Sequence, residues 1–345
     1  MNQTSTFAQT PALMPLICID RIEETADAAT FAFRTHDAKP VDYKPGQFVI
    51  FQVDVADEQL HRAYSLSSTP SRPEHVAITI KRVPGGRVSN HLLDHLKPGH
   101  MLRAMPPAGE FNLIDRPSTG KLVLLSAGSG ITPCISIARW LLDTTPQADI
   151  QFVYSARSPA DVIMAAELAR LHDAHDNFKL IRIVDQDPVE GDIQGPLDAA
   201  LFERLIPDLQ GRTIFTCGPA GYMQAIESFA SARDFDMKYF HKESFVPATA
   251  NAASADDAIS YELQAPQFGK SARIDSSQSL LQVLESAALP VIGACRAGVC
   301  GSCKCRVVSG EVSSRSTATL SEADIAAGYV LACSTQARSD LVIEI

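Results

Sequence analysis

Four of the eight cysteines of the chain lie within one stretch of 11 residues, CRAGVCGSCKC, which begins at Cys295. Cys295, Cys300 and Cys303 follow a C-x4-C-x2-C pattern, and 29 residues separate Cys303 from Cys333. This is the spacing with which four thiolates hold a [2Fe–2S] cluster. The pattern therefore predicts Cys295, Cys300, Cys303 and Cys333 as iron ligands, with Cys305 as a surplus thiol.

Two other uses of these thiols stay open at this point, a zinc site and inert buried cysteines. Zinc sites usually contain two C-x2–4-C pairs, and here the second pair is missing. Gly298 and Gly301 lie between the ligands, and a residue without a Cβ lets the backbone approach a cluster closely. The spacing therefore favours the iron–sulfur cluster.

The composition is that of a globular protein that does not bind nucleic acid. The chain has 345 residues, 46% of them hydrophobic, and a formal net charge of -10, which disfavours polyanions and anionic membranes as partners. No apolar run approaches the roughly 20 residues that span a bilayer. The start, MNQTSTFAQTPALMP, has no signal-peptide pattern. We therefore predict a cytoplasmic protein whose clustered thiols serve metal binding or redox chemistry.

The chain divides into three predicted domains. Residues 1–115 contain short β-rich runs separated by turns, which predicts an antiparallel β-barrel. In residues 116–245, apolar strands alternate with helices, which predicts an α/β doubly wound parallel sheet. Residues 246–258 lack large apolar side chains apart from Val246 and are predicted to be a linker. Residues 259–345 form a compact final domain. The helices of the second domain are predicted near 132–143, 160–171, 197–205 and 219–231.

Two motifs in the first domain carry a family resemblance. The stretch HRAYSLSS (61–68) contains R-x-Y-S, and GGRVSNHLLDHL (85–96) opens a helix. In both features the chain resembles the ferredoxin–NADP reductase superfamily, whose flavin motif is R-x-Y-S. The resemblance implies that Arg62 faces a flavin phosphate, that Tyr64 packs on the isoalloxazine ring, and that Ser65 forms a hydrogen bond near N5. A guanidinium suits a phosphate, and an aromatic ring suits a flat conjugated face.

The same resemblance extends to the loop that opens the helix. Its amides and Ser89 lie at a helix N-terminus, where a pyrophosphate is stabilised. Two phosphates favour FAD over FMN as the flavin. The predicted flavin-binding residues are Arg62, Ala63, Tyr64, Ser65, Leu66, Lys81, Val83, Arg87, Val88 and Ser89.

The second domain carries the signals of a nicotinamide site. The stretch LLSAGSGITPCISIA (124–138) runs from a strand through a glycine turn into a helix, which suits the pyrophosphate of a dinucleotide. TCGPAGYMQAI (216–226) resembles the C-G-P-x-x-M segment of the superfamily, and HKESF (241–245) resembles its closing strand. The residues implied to bind cofactor are Gly128, Gly130, Thr132, Pro133, Arg157, Cys217, Gly218, Pro219 and Phe245. The residues implied to be catalytic are Ser65, Cys217 and Glu243.

The coenzyme preference depends on the residues that follow the second strand. Ser155, Arg157 and Ser158 could accommodate the 2′-phosphate of NADPH. The next strand ends in IVDQDP and lacks a second basic residue to complete a phosphate site. The sequence therefore favours NADH and leaves NADPH possible.

The domain order resembles that of the reductase components of Rieske oxygenases. Among these, the stretch YSLSSTPSRPEHVAITIKRVPGGRVSNHL (64–92) most resembles reductases that serve glycine betaine and related quaternary-amine demethylases. The resemblance implies an α+β, β-grasp ferredoxin domain over 259–345. It also implies an NAD(P)H-dependent reductase that takes hydride from NADH onto FAD and passes single electrons through the cluster. The implied partner is a terminal Rieske oxygenase or another electron-accepting protein. Reductases of hybrid-cluster proteins are the main alternative, and a non-catalytic [2Fe–2S] sensor or scaffold is the alternative of another class.

Three basic residues, Arg296, Lys304 and Arg306, lie in or beside the cysteine loop. A basic rim at this place would steer the cluster towards an acidic patch on the partner. The simpler alternative is that these side chains keep the loop soluble.

Overall fold

The computed structural model describes residues 13–245, 259–293, 295–296, 298, 300–317 and 319–345. Three large sheets follow one another along the chain, each within one of the three predicted domains. The domain limits themselves stay a prediction, and the predicted linker 246–258 lies outside the described residues. Over the described ranges, no helix combines the length and the apolar character that crossing a bilayer requires.

The first sheet is an antiparallel barrel of six strands. The strands are β1 (Met14–Thr25), β2 (Ala28–Thr35), β3 (Phe48–Val55), β4 (Glu58–Ser65), β5 (Val76–Lys81) and β6 (Met101–Ala104). Their spatial order is β4–β3–β6–β1–β2–β5, and a bridge between Leu66 and Ile78 joins the two ends of the sheet. Successive side chains of a strand point to opposite faces, so Phe31 and Phe33 of β2 both lie in the barrel core. Helix α1 (Arg87–His95) follows β5 and buries Val88 and Leu92.

The second sheet is parallel, with helices on both faces. Its strands are β7 (Lys121–Ala127), β8 (Asp149–Ala156), β9 (Phe178–Val184), β10 (Asp192–Gln194), β11 (Thr213–Cys217) and β12 (Phe240–Glu243). Its helices are α2 (Ile131–Thr144), α3 (Ala165–Ala174), α4 (Ala199–Leu205) and α5 (Ala220–Ser231). The spatial order is β10–β9–β8–β7–β11–β12.

The alternation along β7 explains the two helical layers. Leu122 and Leu124 belong to one core, with residues of α2 and α3. Val123 and Leu125 belong to a second core, with residues of α4 and α5. The strand order reverses at β7 and β11, and in such sheets ligands bind beyond the carboxyl ends of the strands at this point.

Helix α3 begins at Ala165, later than the predicted start near residue 160. The preceding residues Pro159–Asp161 form a short 3-10 turn. Met164 then adopts a left-handed conformation with a φ of 58°, which separates this turn from the helix. The backbone N–H of Met164 donates a hydrogen bond to Glu24 of the barrel at 3.1 Å. The left-handed Met164 therefore marks the start of α3, and its N–H is bound by the barrel.

The third sheet is mixed and is crossed by one main helix, as in a β-grasp fold. Its strands are β13 (Ser260–Ala265), β14 (Lys270–Asp275), β15 (Lys304–Ser309), β17 (Tyr329–Leu331) and β19 (Leu341–Glu344). They lie in the order β14–β13–β19–β15–β17, and β16 (Val312–Ser314) pairs separately with β18 (Thr335–Ala337). The helices are α6 (Leu280–Ser286) and α7 (Glu322–Ala326). Ser279 and Gln282 form a capping box that begins α6, and the cysteine loop connects α6 to β15.

An apolar contact joins the third domain to the barrel. It is formed by Phe48, Ile50 and Met105 of the barrel with Ile292, Cys295 and Cys300 of the cysteine loop. The barrel therefore contacts the part of the third domain that carries the predicted iron ligands.

Candidate functional site

One deep cavity of about 970 Å³ lies where residues of the three domains meet. Its walls come from β4, β5, the start of α1, the end of β12 and the cysteine loop. The residues predicted from the sequence that line it are Arg62, Ala63, Tyr64, Ser65, Lys81, Val83, Arg87, Val88, Ser89, Thr132, Glu243 and Phe245. A concave site of this volume with a few convergent polar groups suits a small molecule or cofactor.

Five arginines line the same cavity: Arg62, Arg82, Arg87, Arg116 and Arg296. The pKa of Arg62 is lowered, first by burial and then by the charge of Arg296. Arg87 forms an ion pair with Glu58 at 2.8 Å, and Arg296 forms one with Glu285. An anion would stabilise the remaining positive charge, so this part of the cavity fits a flavin phosphate.

The loop before α1 is shaped for a close approach of its backbone. The N–H of Gly86 donates to the carbonyl of Val83 at 2.9 Å. A Cβ on Gly86 would lie 2.6 Å from Ser89 Oγ and 2.9 Å from Val83 Cβ. Only glycine fits here. The N–H groups at the start of the nine-residue helix α1 can donate hydrogen bonds to a pyrophosphate. This second anion position fits FAD.

Tyr64 offers an aromatic face at the cavity wall. Its ring centroid lies 6.3 Å from that of Phe51 in the barrel core. Burial raises the pKa of Tyr64, so the side chain is neutral. A neutral aromatic ring held in this way fits the flat flavin ring.

The three residues predicted to be catalytic are brought together by two sheets. Ser65, at the end of β4, donates a hydrogen bond from Oγ to Oε2 of Glu243 at 3.1 Å. Glu243, at the end of β12, is paired in register with Cys217, at the end of β11. Cys217 is fully buried, and burial raises the pKa of its thiol. A hydroxyl, a carboxyl and a neutral thiol therefore meet where the barrel cavity reaches the parallel sheet.

Burial raises the pKa of Glu243 to about 8, although the hydrogen bond from Ser65 acts in the opposite direction. The residue is only half-buried by its surface exposure, because the cavity opens onto it. A flat cofactor in the cavity would exclude the remaining water and so keep the direction of the shift. The raised pKa favours the protonated form of Glu243, which can donate a hydrogen bond.

The glycine turn after β7 touches the end of β11. A Cβ on Gly130 would lie 2.1 Å from the carbonyl oxygen of Cys217. Gly128 has a φ of 54°, and its carbonyl accepts a hydrogen bond from the Tyr154 hydroxyl at 3.0 Å. The hydroxyl of Ser126, just before the turn, is buried without a hydrogen-bond partner. The turn thus lies at the switch point of the sheet with an unsatisfied polar group beside it, which fits a dinucleotide.

The other residues predicted for the coenzyme surround this turn. Thr132 and Pro133 are buried in the first turn of α2, and Pro219 caps the start of α5 after Gly218. Both helices begin at the carboxyl edge of the sheet, where their N–H groups suit a phosphate.

The four predicted iron ligands form two pairs of thiols. The pKa of Cys300 is raised, first by its hydrogen bond with Cys295 and then by burial. The pKa of Cys303 is lowered by its hydrogen bond with Cys333. A further hydrogen bond, between Cys333 and Cys295, links the pairs. In the described part of the chain, no three or more His, Cys, Asp or Glu side chains surround one point in the manner of a single-metal site. Two pairs of thiols instead suit two irons with two thiolates each.

Backbone N–H groups of this loop point at the sulfurs. Gly298 donates to Cys333 Sγ at 3.1 Å, and the N–H of Cys333 lies 3.4 Å from Cys303 Sγ. Gly298 has a φ of 74°, and a Cβ there would lie 2.8 Å from Ser316 Cβ. Such donors stabilise thiolate character, which iron ligands require.

The surplus thiol Cys305 lies elsewhere. It is buried in β15, paired in register with Val330, within the core of the third domain. Burial raises the pKa of Cys305 to about 12, so it stays protonated and does not compete for iron.

The basic side chains beside the loop are paired within their own domain. Arg296 forms an ion pair with Glu285, Lys304 with Asp324, and Arg306 with Glu344. The expectation of a locally basic rim is therefore not met, because neighbouring carboxylates cancel most of its charge.

Some predicted residues do not line the flavin cavity. Leu66 is fully buried in the barrel core, where it joins the ends of the sheet, so its side chain is not part of the cavity wall. The residues around the glycine turn, Gly128, Gly130, Pro133, Cys217, Gly218 and Pro219, and Arg157 also lie outside this lining. Cys295, predicted only as an iron ligand, lies in the lining.

Sequence reasoning missed several lining residues. The cavity wall also contains Glu110, Phe111, Arg116 and Arg296. The stretch PPAGEF (106–111) is a turn-rich segment just after the barrel, which is a weak local signal for Glu110 and Phe111. Arg296 reaches the cavity only because the third domain contacts the barrel, so no local signal exists for it.

Comparison with known proteins gives the same three domains. The chain matches models of an oxidoreductase FAD-binding domain over residues 15–113, an oxidoreductase NAD-binding domain over 124–228, and a 2Fe-2S iron-sulfur cluster binding domain over 266–338. It is 37% identical over 344 residues to the glycine betaine monooxygenase reductase subunit of Pseudomonas aeruginosa, with 95% of this chain and 94% of that protein covered. The chain belongs to this family of flavin- and iron–sulfur-dependent reductases.

Two further matches, to a curated relative and to a solved structure, agree with this domain architecture. The NADH oxidoreductase HCR of Escherichia coli is 39% identical over 321 residues, covering 93% of this chain and 94% of that protein. The structure of phthalate dioxygenase reductase matches with a TM-score of 0.65 and 24% identity, covering 97% of this chain and 98% of that chain, and supports the fold.

Membership in the reductase family confirms the predicted fold class and cofactors. The chain is an NAD(P)H-dependent oxidoreductase with a flavin barrel, a nicotinamide domain and a ferredoxin domain. Its cofactors are FAD, a nicotinamide dinucleotide and a [2Fe–2S] cluster. As an oxidoreductase, it is not a non-catalytic [2Fe–2S] sensor or scaffold.

Proposed function

We propose that this reductase takes electrons from NADH and delivers them one at a time to a Rieske-type monooxygenase that demethylates a quaternary amine. The observation that carries the proposal is that Ser65 and Glu243 line the same cavity as Cys295 of the cysteine loop. The residues proposed to act in hydride transfer and a proposed iron ligand therefore line one cavity. When bound, FAD accepts two electrons together from the coenzyme and releases them singly to the cluster.

The residues of the chain position and shield this exchange. Arg62 and Arg87 are proposed to hold the flavin phosphates, and Tyr64 to support the flavin ring. Ser65 and the protonated Glu243, 3.1 Å apart, are proposed to hold and move a proton beside the reacting ring. Cys217 is fully buried and excludes water from the place where the nicotinamide would lie.

The partner class is inferred from relatives. The glycine betaine monooxygenase reductase subunit shares 37% identity over nearly its whole length, which supports an oxygenase as the acceptor. The 39% identity with the NADH oxidoreductase HCR supports a second candidate, a hybrid-cluster protein as the acceptor.

Three finer points belong to the same proposal. The domains extend over 1–115, 116–245 and 259–345, with 246–258 as the linker. NADH is preferred over NADPH. The protein acts in the cytoplasm, because iron thiolates are kept reduced there.

A two-step experiment tests the proposal. Addition of NADH under anaerobic conditions should bleach the flavin absorbance and then the cluster absorbance. Reconstitution with a glycine betaine oxygenase or with a hybrid-cluster protein should then give product only with the true acceptor. If NADH did not bleach the flavin absorbance, the proposal that this protein is an NADH-dependent reductase would be refuted. Turnover with the hybrid-cluster protein alone would replace the oxygenase by the second candidate.

A further inference from the structure

Helix α2 connects the glycine turn of the second domain to the barrel. It begins directly after this turn, Gly128–Gly130, and Thr132 in its first turn lines the cavity together with Tyr64 and Ser65 of β4. Farther along the helix, three polar residues follow one another at spacings of three and four, which places them on one face. All three form hydrogen bonds with the barrel. They are Ser136, Arg139 and Asp143.

The barrel side of this contact is the chain just after the flavin motif. Ser136 Oγ donates to the carbonyl of Ser68 at 2.6 Å, and Arg139 Nη1 donates to the carbonyl of Ser67 at 2.7 Å. Ser67 follows Ser65, the last residue of β4, by two positions. One face of α2 is therefore bonded to the barrel chain directly beyond the flavin motif.

The contact continues to the last turn of α2. Asp143 accepts hydrogen bonds from Arg72 Nη2 at 2.7 Å, from Arg72 Nε at 2.9 Å and from Ser71 Oγ at 2.6 Å. The barrel chain in this contact is itself fixed, because Thr79 Oγ1 of β5 donates to Ser67 Oγ at 3.1 Å. Thr79 also lines the cavity, so α2 is bonded to the same part of the barrel that forms the cavity wall.

Arg139 joins three elements in a largely buried position. Its Nε donates to Oε1 of Glu167 in α3 at 3.1 Å, and only 17% of its side chain is accessible. Burial lowers the pKa of Arg139, whereas Glu167 acts in the opposite direction. Arg170 pairs with the same carboxylate at 2.8 Å from the exposed side. A buried charge is costly to leave unpaired, so the Arg139 side chain holds the barrel and the two helices in one arrangement.

We propose that Arg139 and Ser136 are positioning residues for hydride transfer, because they fix the distance between the flavin motif and the glycine turn. Ser136 lies six residues beyond Gly130, which is about 9 Å along a helix. Polar contacts between domains usually permit relative movement. Hydride transfer requires reacting atoms about 3–3.5 Å apart, and a displacement of about 1 Å can lower the rate a hundredfold. The contact acts on the rate and not on coenzyme binding, because it does not touch the turn itself.

The test measures flavin reduction in the full-length, FAD-loaded protein. Arg139→Gln should lower the rate of flavin reduction at saturating NADH by about tenfold, because the glycine turn can then move away from the flavin motif. The dissociation constant of NAD+ should stay unchanged. The charge-transfer absorbance of NAD+ stacked on the reduced flavin should weaken, which a loss of stability alone would not cause. Arg170→Gln is the matched control, because it removes a partner of Glu167 on the exposed side, and it should leave all three quantities unchanged.

Ser136→Ala decides the matter if Arg139→Gln does not retain FAD. It removes the donor to the Ser68 carbonyl and should lower the same rate by about threefold, as expected for one hydrogen bond. Wild-type rates and charge-transfer absorbance in these variants would overturn the positioning role, and so would an equal loss in Arg170→Gln or a loss confined to coenzyme affinity. The inference rests on the proposed function, but the two fail separately. Wild-type flavin that NADH does not bleach would refute the function, whereas wild-type bleaching with unaltered variants would refute only the role of Arg139 and Ser136.

Discussion

At the residue scale, Cys300 and Cys305 provide a matched pair of thiols. Cys300 forms a hydrogen bond with Cys295, whereas Cys305 is buried in the core of the third domain. Cys300→Ser should therefore lose most of the iron and the cluster absorbance while FAD stays bound, because a hydroxyl is a poorer iron ligand than a thiolate. Cys305→Ser should keep nearly all the iron. Iron analysis and visible spectra check both, and equal iron content in the two variants would contradict the ligand assignment.

Glu243 should make stability depend on pH in a defined window. Its pKa is raised from 4.5 to about 8, so between these values the folded state keeps a proton that the unfolded state has released. The free energy of unfolding therefore falls as the pH rises from about 4.5 to about 8 and levels off above. Glu243→Gln should lack this slope. The difference in melting temperature, variant minus wild type, should therefore increase from about pH 4.5 to about pH 8. Melting curves from flavin fluorescence at pH 5 to 9 measure the difference, and parallel curves would argue against a protonated Glu243.

Individual residues were predictable where a short motif fixes the backbone around them. R-x-Y-S, C-G-P and the cysteine spacing predict Ser65, Cys217 and the iron ligands, because each motif is local. Arg296 had no such signal. Its place in the cavity wall depends on which domain lies opposite it, and that information is not contained in the neighbouring residues.

At the scale of elements, the contact between the glycine turn and β11 offers a test of the coenzyme site. A Cβ on Gly130 would lie 2.1 Å from the Cys217 carbonyl oxygen, so Gly130→Ala should push the turn away from the strand. Displacement of the turn should lower kcat/KM for NADH by about tenfold to a hundredfold. The FAD content should stay unchanged. Gly211→Ala is the control, because a Cβ on Gly211 meets nothing within 4 Å. Stopped-flow reduction of the flavin would show the loss, and wild-type kinetics in Gly130→Ala would separate this turn from the coenzyme.

Most elements were predictable because their periodicity is strong. The alternation of apolar strands and helices over residues 116–245 predicts strands at apolar runs such as FKLIRIV, which forms β9 at Phe178–Val184. The three-residue strand β10 (Asp192–Gln194) was not expected, because it depends on pairing with β9 rather than on its own composition.

At the scale of the whole molecule, the sequence predicts the order of the domains but not the contacts between them. Arg296, Lys304 and Arg306 appear as a basic group in the sequence. The carboxylates that pair with them, Glu285, Asp324 and Glu344, lie between 11 and 38 residues away along the chain. Folding brings them together, so the charge of the loop surface could not be read from the loop alone.

The apolar contact between the barrel and the cysteine loop can be tested by substitution of Ile292. Ile292 packs with Phe48, Ile50 and Met105 of the barrel, so Ile292→Asn should weaken the docking of the cluster on the flavin domain. Burial of such a side chain contributes about 1.5–3 kcal/mol, and a loss of about 1.4 kcal/mol is a factor of ten. Electron delivery from NADH to cytochrome c through the cluster should therefore fall about tenfold, while flavin reduction by NADH and the iron content stay unchanged. Val308→Asn is the control, because Val308 is an exposed apolar residue of the same domain, 49% accessible, outside the contact. Unchanged cytochrome c reduction in Ile292→Asn would mean that this contact is not the route between flavin and cluster.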